Sequence, residues 1–308
     1  MEKRQKVLVI VGPTASGKSA LGVSLAKKFN GEIISADSRQ VYRGLDIGTG
    51  KIPKREMRGV PHYLLDIASP KRAMTAHEFA RKAEASMKKI RAHNSLPIIV
   101  GGTGFYIDAL LGRASLPDVP PSKALRARLH KMTAMQLHLL LKRRDPARAK
   151  QMDTPSERNN KVRVIRALEI AAARNTEVGP RPHETEVRPR YDLLWLGIKP
   201  TQAELERKIL KRLKSRIKQG MIAESKRLHA HGISYKRMEQ LGLEYRSLAR
   251  LLQKKITKKE FEEELFRDIR RYAKKQMMYW QRNNEITWHD PKHIKKVERE
   301  VETWLRGR

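Results

Sequence analysis

Eight residues near the start of the chain, GPTASGKS at 12–19, match the pattern G-x-x-x-x-G-K-[ST] in full. The continuous apolar and mostly β-branched run at 7–11 ends directly before them, and residues 18–29 carry apolar side chains at helical spacing. A strand, a glycine loop and a helix in this order predict a P-loop at the edge of a parallel α/β sheet.

The residue types in this loop suit phosphate binding. Gly12 and Gly17 let the backbone curl, so that successive N–H groups and the helix N-terminus point at phosphate oxygens. Lys18 adds a positive charge, and the Ser19 hydroxyl is placed to reach Mg²⁺. The predicted diphosphate-binding residues are Gly12, Pro13, Thr14, Ala15, Ser16, Gly17, Lys18 and Ser19. The loop alone does not say whether the phosphates belong to a nucleoside triphosphate.

Two further short apolar runs also end on polar or glycine-rich segments. Residues 33–36 precede Asp37, and residues 97–100 precede the turn Gly101-Gly102-Thr103-Gly104. Loops that follow parallel strands meet at one edge of the sheet, so these segments are predicted to face the P-loop. Asp37 could hold Mg²⁺, orient a nucleophile or simply cap a turn.

The pattern changes to helix after Pro117. Apolar residues three and four apart occur at 122–132, 134–143 and 160–174, which predicts three helices. A polar loop is predicted at 176–190. Residues 193–198 are typical of a buried strand that returns to the sheet. The prediction is a catalytic core of residues 1–113 and 191–308, with an all-helical insertion at 114–190.

The C-terminal region is predicted to be helical and basic. Residues 205–219 and 258–282 are the longest periodic stretches. One apolar stripe in the second stretch comprises Phe261, Leu265, Ile269, Tyr272, Gln276 and Trp280. It is flanked by Arg267, Arg270, Arg271, Lys274, Lys275 and Arg282, which form either a solvated face or a phosphate-backbone contact surface.

The amino-acid composition limits the classes of binding partner and of chemical site that the chain can have. The 67 Lys and Arg against 33 Asp and Glu leave a net charge of +34, which favours a polyanion such as nucleic acid. The absence of Cys excludes disulfides, thiolate zinc sites and Cys nucleophiles. No apolar run approaches the roughly 20 residues of a membrane span, so a cytoplasmic protein without a membrane partner is expected.

Six segments, in this order and spacing, resemble the tRNA dimethylallyltransferase family, also called tRNA isopentenyltransferases. They are GPTASGKS at 12–19, DSRQVYRGLDIGTGK at 37–51, VPHYLLD at 60–66, GGTGFY at 101–106, RVIRALE at 163–169 and RRYAKKQMMYW at 270–280. The resemblance covers the whole chain and implies a P-loop NTPase-like parallel sheet core with an inserted helical subdomain and a helical C-terminal region.

The resemblance also implies an activity. The family transfers a dimethylallyl group from dimethylallyl diphosphate to N6 of the adenine 3′ of the anticodon in tRNA. On this basis the P-loop holds a prenyl diphosphate with Mg²⁺, Asp37 is the general base, and Thr103 contacts the target nucleotide. The family's diphosphate-binding arginine has three candidates, Arg207, Lys208 and Arg212, of which Arg212 is the first choice.

The implied partner is the anticodon stem-loop of tRNA. The matching segments predict that Asp37, Ser38, Arg39, Gln40, Thr103, Val162, Arg163 and Arg166 bind it. The target base is expected to be flipped into a channel, and the resemblance implies a monomer. Eukaryotic relatives often carry a C-terminal zinc finger, which the absence of Cys rules out here, so no zinc is expected.

Two alternatives use the same loop. A small-molecule kinase that consumes ATP shares the P-loop and Asp37 but does not explain the charge of +34. A non-catalytic RNA-binding P-loop protein explains the charge but leaves Asp37 and the GGTG turn without a role.

Overall fold

A computed structural model describes residues 4–114, 116–117, 119–174 and 191–307. The described residues divide into two compact units. The first unit comprises those up to 114 together with those from 191 onward, and the second comprises those from 116 to 174. The loop predicted at 176–190 lies outside the described residues.

The first unit is built on one sheet in which all paired strands are parallel. Its strands are β1 (Gln5–Val11), β2 (Gly31–Ala36), β3 (His62–Tyr63), β4 (Leu96–Gly101), β5 (Tyr191–Ile198) and β6 (Thr287–His289). Their spatial order is β3-β2-β4-β1-β5-β6. The predicted fold class, a parallel α/β core that carries many helices, is confirmed.

Hydrophobic burial explains the central strands. Residues 7–11 of β1 have no exposed surface, because the strand has β4 and β5 on its edges and helices on its faces. Leu193 pairs with Val7, which confirms that the run at 193–198 returns to the first sheet. The edge strands β3 and β6 were not predicted, since two and three residues are too short to show a period.

Helices cover the sheet and continue beyond it. Those before the second unit are α1 (Lys18–Lys28), α2 (Lys54–Met57), α3 (Ala76–Ala92) and α4 (Gly104–Leu110). The second unit contains α5 (Lys123–His130), α6 (Ala134–Arg144), α7 (Pro146–Gln151), α8 (Pro155–Arg158) and α9 (Lys161–Arg174). The remaining helices are α10 (Gln202–Lys218), α11 (Met221–Ala230), α12 (Tyr235–Leu241), α13 (Leu243–Leu252), α14 (Lys258–Trp280) and α15 (Ile294–Arg306). In the part of the chain described, no helix has the length and apolarity that a membrane crossing requires.

The long helix α14 lies against the core along the predicted stripe. Thr257 and Glu260 form a capping box at its start, and the stripe is buried except at Tyr272, which is half-buried. Trp280 packs against Trp195 of β5, with ring centroids 5.9 Å apart. This anchor places Gln276, one turn earlier, beneath the loops that follow β1 and β4.

The second unit has a small core of its own. Leu137 and Leu141 of α6 pack with Val164 and Leu168 of α9. The buried carboxylate of Glu169 accepts hydrogen bonds from the Arg126 guanidinium and from the Ser122 N–H, which ties the start of α5 to α9. The described part of this unit is helical, as predicted.

Candidate active site

Three loops meet at the carboxyl edge of the sheet. They follow β1, β2 and β4, and the pairing of Ala36 with Gly101 brings the ends of β2 and β4 side by side. A cavity at this edge is lined, among others, by Thr14, Ala15, Lys18, Ser19, Asp37, Gln40, Thr49, Gly101, Gly102, Arg212, Tyr272 and Gln276. The structure therefore brings together the P-loop, Asp37 and the glycine turn.

The P-loop glycines stand where a side chain would not fit or would be strained. Gly12 has a φ of +145°, and a Cβ there would lie 2.5 Å from the Ile198 carbonyl oxygen. Gly17 adopts a left-handed conformation directly before α1, with φ at +102°. The loop thus presents its backbone to the cavity and places the N-terminus of α1 beside it, an arrangement suited to anions.

Lys18 is the cation nearest the loop backbone. Its ammonium donates a hydrogen bond to the Pro13 carbonyl oxygen at 2.6 Å. Burial, with a smaller contribution from the nearby Arg212 guanidinium, lowers the pKa of Lys18 to about 7, and the Asp37 carboxylate opposes both effects. A bound polyanion would favour the protonated form of this side chain.

Asp37 caps a turn with its side chain and also lines the cavity. Its Oδ1 accepts hydrogen bonds from the N–H groups of Arg39 at 2.8 Å and Gln40 at 3.3 Å, so the carboxylate caps the turn after β2. Oδ2 takes no part in these two bonds, and the residue lines the cavity. The turn cap and a chemical role are therefore compatible.

Thr103 lies next to Asp37 through the backbone. Its hydroxyl accepts a hydrogen bond from the Ser38 N–H at 3.0 Å. The Thr103 N–H donates to the Ala36 carbonyl oxygen at 3.2 Å. Thr103 thus joins the glycine turn to the Asp37 segment.

The three candidates for a diphosphate-binding cation on α10 lie in different places. Arg212 lines the cavity with Lys18 and donates a hydrogen bond to the Gly50 carbonyl oxygen at 2.7 Å. Lys208 lines an adjoining basic groove, which also contains Lys51, Lys54, Arg55 and Lys211. Arg207 is not among the residues that line either space.

Gln276 is a site residue whose role sequence reasoning missed. Its Oε1 accepts from the Thr14 N–H at 2.8 Å, and its Nε2 donates to the Gly102 carbonyl oxygen at 3.0 Å. The signal was present in the sequence, because an amide within an otherwise apolar buried stripe needs polar partners.

The residues predicted to bind tRNA fall into two groups. Ser38 and Arg39 line a second cavity that also includes Asp37, Glu244 and Tyr272, while Gln40 lines the first. The other group, Val162, Arg163 and Arg166, lies on α9 of the second unit. Val162 is 73% exposed, Arg163 contacts Glu157, and Arg166 contacts Glu169 and the Pro117 carbonyl oxygen.

The oxygen-bearing side chains at the cavity suit a Mg²⁺ ion whose other coordinating atoms come from bound phosphates and water. Ser19 and Asp37 both line the cavity, whereas no cluster of three or more His or acidic side chains suited to a metal occurs among the described residues. Mg²⁺ at phosphate sites uses one or two protein ligands and completes its shell with phosphate oxygens and water. The residues present fit that mode of binding and do not form an all-protein cage.

Known proteins resemble this chain over nearly its full length. The profile of the IPP transferase family matches residues 40–284. The chain is 39% identical to a tRNA dimethylallyltransferase of Pelotomaculum thermopropionicum, with 93% of this chain and 91% of that protein aligned. It is 41% identical to tRNA dimethylallyltransferase 2 of Citrifermentans bemidjiense, over 89% and 86% of the two chains.

Solved structures show the same fold. The full-length tRNA isopentenylpyrophosphate transferase of Bacillus halodurans superposes with a TM-score of 0.73 at 33% identity, covering 99% of this chain and 98% of that one. A eukaryotic dimethylallyltransferase, solved acting on tRNA, superposes with a TM-score of 0.82 over 99% and 80% of the two chains; at 23% identity it shows the shared fold. From its sequence profile and its near full-length relatives, the chain belongs to the IPP transferase family.

Proposed function

We propose that this protein transfers a dimethylallyl group from dimethylallyl diphosphate to N6 of the adenine 3′-adjacent to the anticodon in tRNA, with release of diphosphate. One observation carries the proposal: a phosphate-binding loop, a carboxylate and an arginine line one cavity. The names of the relatives, tRNA dimethylallyltransferases, support the same activity.

The donor's diphosphate binds at the P-loop. Backbone N–H groups of the P-loop, apart from Pro13, which has none, and Thr14, whose N–H bonds Gln276, supply positive charge to the leaving oxygens together with the N-terminus of α1, the Lys18 ammonium and the Arg212 guanidinium. An allylic C–O bond breaks readily because the cation is delocalised, so stabilising the departing diphosphate addresses the main barrier. Ser19 would hold Mg²⁺ together with the phosphates, and the ion would neutralise charge on the leaving group.

The acceptor amine needs a base. The lone pair of an exocyclic adenine amine is conjugated with the ring, so the amine attacks as it loses a proton. Asp37 accepts that proton through its carboxylate, the new N–C bond forms, and the C–O bond electrons leave with the diphosphate. Thr103 contacts the target nucleotide and holds Ser38, which keeps the Asp37 segment in place.

Binding of tRNA uses both groups of predicted contacts. Ser38, Arg39 and Gln40 border the site, and we assign Val162, Arg163 and Arg166 of the inserted helical domain, residues 114–190, to the anticodon stem-loop. The adenine leaves its stack to enter the site, at a cost of a few kcal/mol that backbone contacts offset. The protein acts as a monomer in the cytoplasm.

A transfer assay tests the function. The protein, Mg²⁺ and labelled dimethylallyl diphosphate are incubated with an anticodon stem-loop that carries adenine at the expected position. The matched control stem-loop carries purine there, which lacks the exocyclic amine. Label must appear on the adenine substrate only, with one diphosphate released for each group transferred. ATP-dependent phosphorylation of a metabolite without prenyl transfer would show a kinase instead.

A further inference from the structure

A buried carboxylate outside the cavity organises one of its walls. Glu224 of α11 is 4% exposed and accepts hydrogen bonds from three consecutive backbone N–H groups, those of Asp46 at 3.0 Å, Ile47 at 2.7 Å and Gly48 at 2.9 Å. It also accepts one from the Tyr245 hydroxyl at 2.8 Å. A buried anion bonded by four donors holds its neighbours firmly, because each bond is charge-assisted.

The carbonyl groups of the same loop are held from α10. Arg216 donates to the Gly48 carbonyl oxygen at 2.6 Å, and Arg212 donates to the Gly50 carbonyl oxygen at 2.7 Å. In the loop of residues 46–50, Glu224 therefore hydrogen-bonds backbone N–H groups, and the two arginines hydrogen-bond backbone carbonyl groups. Its backbone conformation and the direction of the Arg212 guanidinium depend on each other.

The packing around the loop leaves little room for an alternative conformation. A Cβ on Gly48 would lie 2.5 Å from the Tyr245 hydroxyl oxygen and 3.1 Å from Glu224 Oε1. Thr49, between the two held glycines, lines the cavity together with Lys18 and Arg212. Movement of this loop would thus change the cavity wall and the orientation of Arg212 at once.

We propose that Glu224 is a positioning residue for the diphosphate site: it holds the backbone of residues 46–48, which fixes Gly50 and through it the guanidinium of Arg212. The inference rests on the proposed binding of the diphosphate by Arg212. Glu224 itself does not line the cavity and acts through the loop.

The substitution Glu224→Gln tests this with minimal change of volume. Each carboxylate oxygen accepts from two donors. Oε2 accepts from the N–H groups of Asp46 and Ile47, and Oε1 accepts from the Gly48 N–H and the Tyr245 hydroxyl. An amide nitrogen at either position would place its N–H groups against these N–H and hydroxyl donors, so the bonds there would be lost.

In Glu224→Gln we expect faster amide hydrogen exchange at residues 46–48. We also expect the KM for dimethylallyl diphosphate to rise about tenfold, which corresponds to the loss of one such hydrogen bond. The KM for tRNA should stay within about twofold. The exposed Glu239→Gln on α12 is the matched control and should change neither value.

A double-mutant cycle separates this role from general destabilisation. Binding of inorganic diphosphate with Mg²⁺ is measured by calorimetry in the wild type, Glu224→Gln, Arg212→Lys and the double variant. Because Glu224 acts through Arg212, the double variant should bind within about twofold of Arg212→Lys alone. Additive losses would overturn the inference while leaving the proposed function intact. A wild type that binds no diphosphate would overturn the diphosphate site and, with it, this inference.

A second substitution covers the case in which Glu224→Gln does not fold. Glu224→Asp keeps the charge but is one methylene shorter, so it cannot reach all three N–H groups. It should show the same exchange pattern and the same selective rise in KM for the prenyl donor. Wild-type kinetics in a variant whose residues 46–48 exchange faster would contradict the proposal.

Discussion

Gln276 and Thr14 are joined by a hydrogen bond across 262 positions of sequence, from the Thr14 N–H to the Gln276 side-chain oxygen at 2.8 Å. The amide nitrogen of the same side chain bonds the Gly102 carbonyl oxygen. One glutamine on α14 therefore links the P-loop to the glycine turn, which lies beside the Asp37 segment.

Replacing Gln276 with Leu should weaken both the fold and donor binding. The change keeps a similar volume but leaves the Thr14 N–H and the Gly102 carbonyl without these partners, which costs about 1–3 kcal/mol of unfolding free energy. Urea denaturation measures that loss, and the KM for dimethylallyl diphosphate should rise. The exposed Gln240→Leu is the control and should stay within about 0.5 kcal/mol of wild type. An unchanged urea midpoint and KM in Gln276→Leu would show that the link is dispensable.

Donor binding should weaken as the pH rises above 7. The pKa of Lys18 is lowered to about 7 in the ligand-free protein, so the side chain loses its charge as pH rises through that value. Binding of a polyanion raises this pKa, and the complex therefore takes up a proton. Between pH 7.5 and about 9 the phosphate's own last proton is already lost, since its pKa is about 6.

Calorimetry of dimethylallyl diphosphate binding without tRNA measures this effect. Affinity should fall by up to about tenfold per pH unit for one linked proton. Lys18→Met should bind more weakly at every pH but with a flatter dependence. A steep dependence that persists in Lys18→Met would assign the linked proton to another group.

Binding of tRNA should depend strongly on salt, with part of the dependence arising from α14. Lys274 and Lys275 are exposed on this helix. Each phosphate contact contributes about 0.7–0.9 to the slope of log K against log salt, so Lys274→Gln with Lys275→Gln should lower the slope by about 1–2. The exposed pair Lys88 and Lys89 on α3, changed in the same way, is the control. Equal slopes in wild type and the α14 variant would place tRNA elsewhere.

The local parts of the fold could be predicted from the sequence. The run at 7–11, the glycine loop and α1 follow one another directly, so period and glycine content identify them. Helix α10 begins three residues earlier than predicted, since Thr201 and Glu204 form a capping box ahead of Leu205, where the predicted helix began.

Long-range contacts at the site could not be predicted in the same way. Helical periodicity shows which face of α11 or α14 is buried, but not which loop that face meets. Glu224 and Gln276 contact backbone groups more than 170 residues away, and these contacts arise only from tertiary packing. The only sign of these contacts in the sequence is a polar side chain on a buried helix face. Such a side chain needs hydrogen-bond partners, but the sequence does not identify them.

Removal of the base at position 37 tests the catalytic account. Asp37→Asn keeps an oxygen that can accept from the Arg39 and Gln40 N–H groups, so the turn after β2 should persist. The amide cannot accept the proton of the adenine amine, and a general base contributes about 10²–10⁴-fold to rate. Thermal melting and binding of both substrates should remain close to wild type.

The deciding measurement is single-turnover transfer of label from dimethylallyl diphosphate to the adenine-bearing anticodon stem-loop, with the protein in excess over RNA. Wild type should transfer the label and Asp37→Asn should do so about 10²–10⁴-fold more slowly at equal occupancy of both substrates. Transfer by Asp37→Asn at the wild-type rate would contradict a catalytic role for this carboxylate.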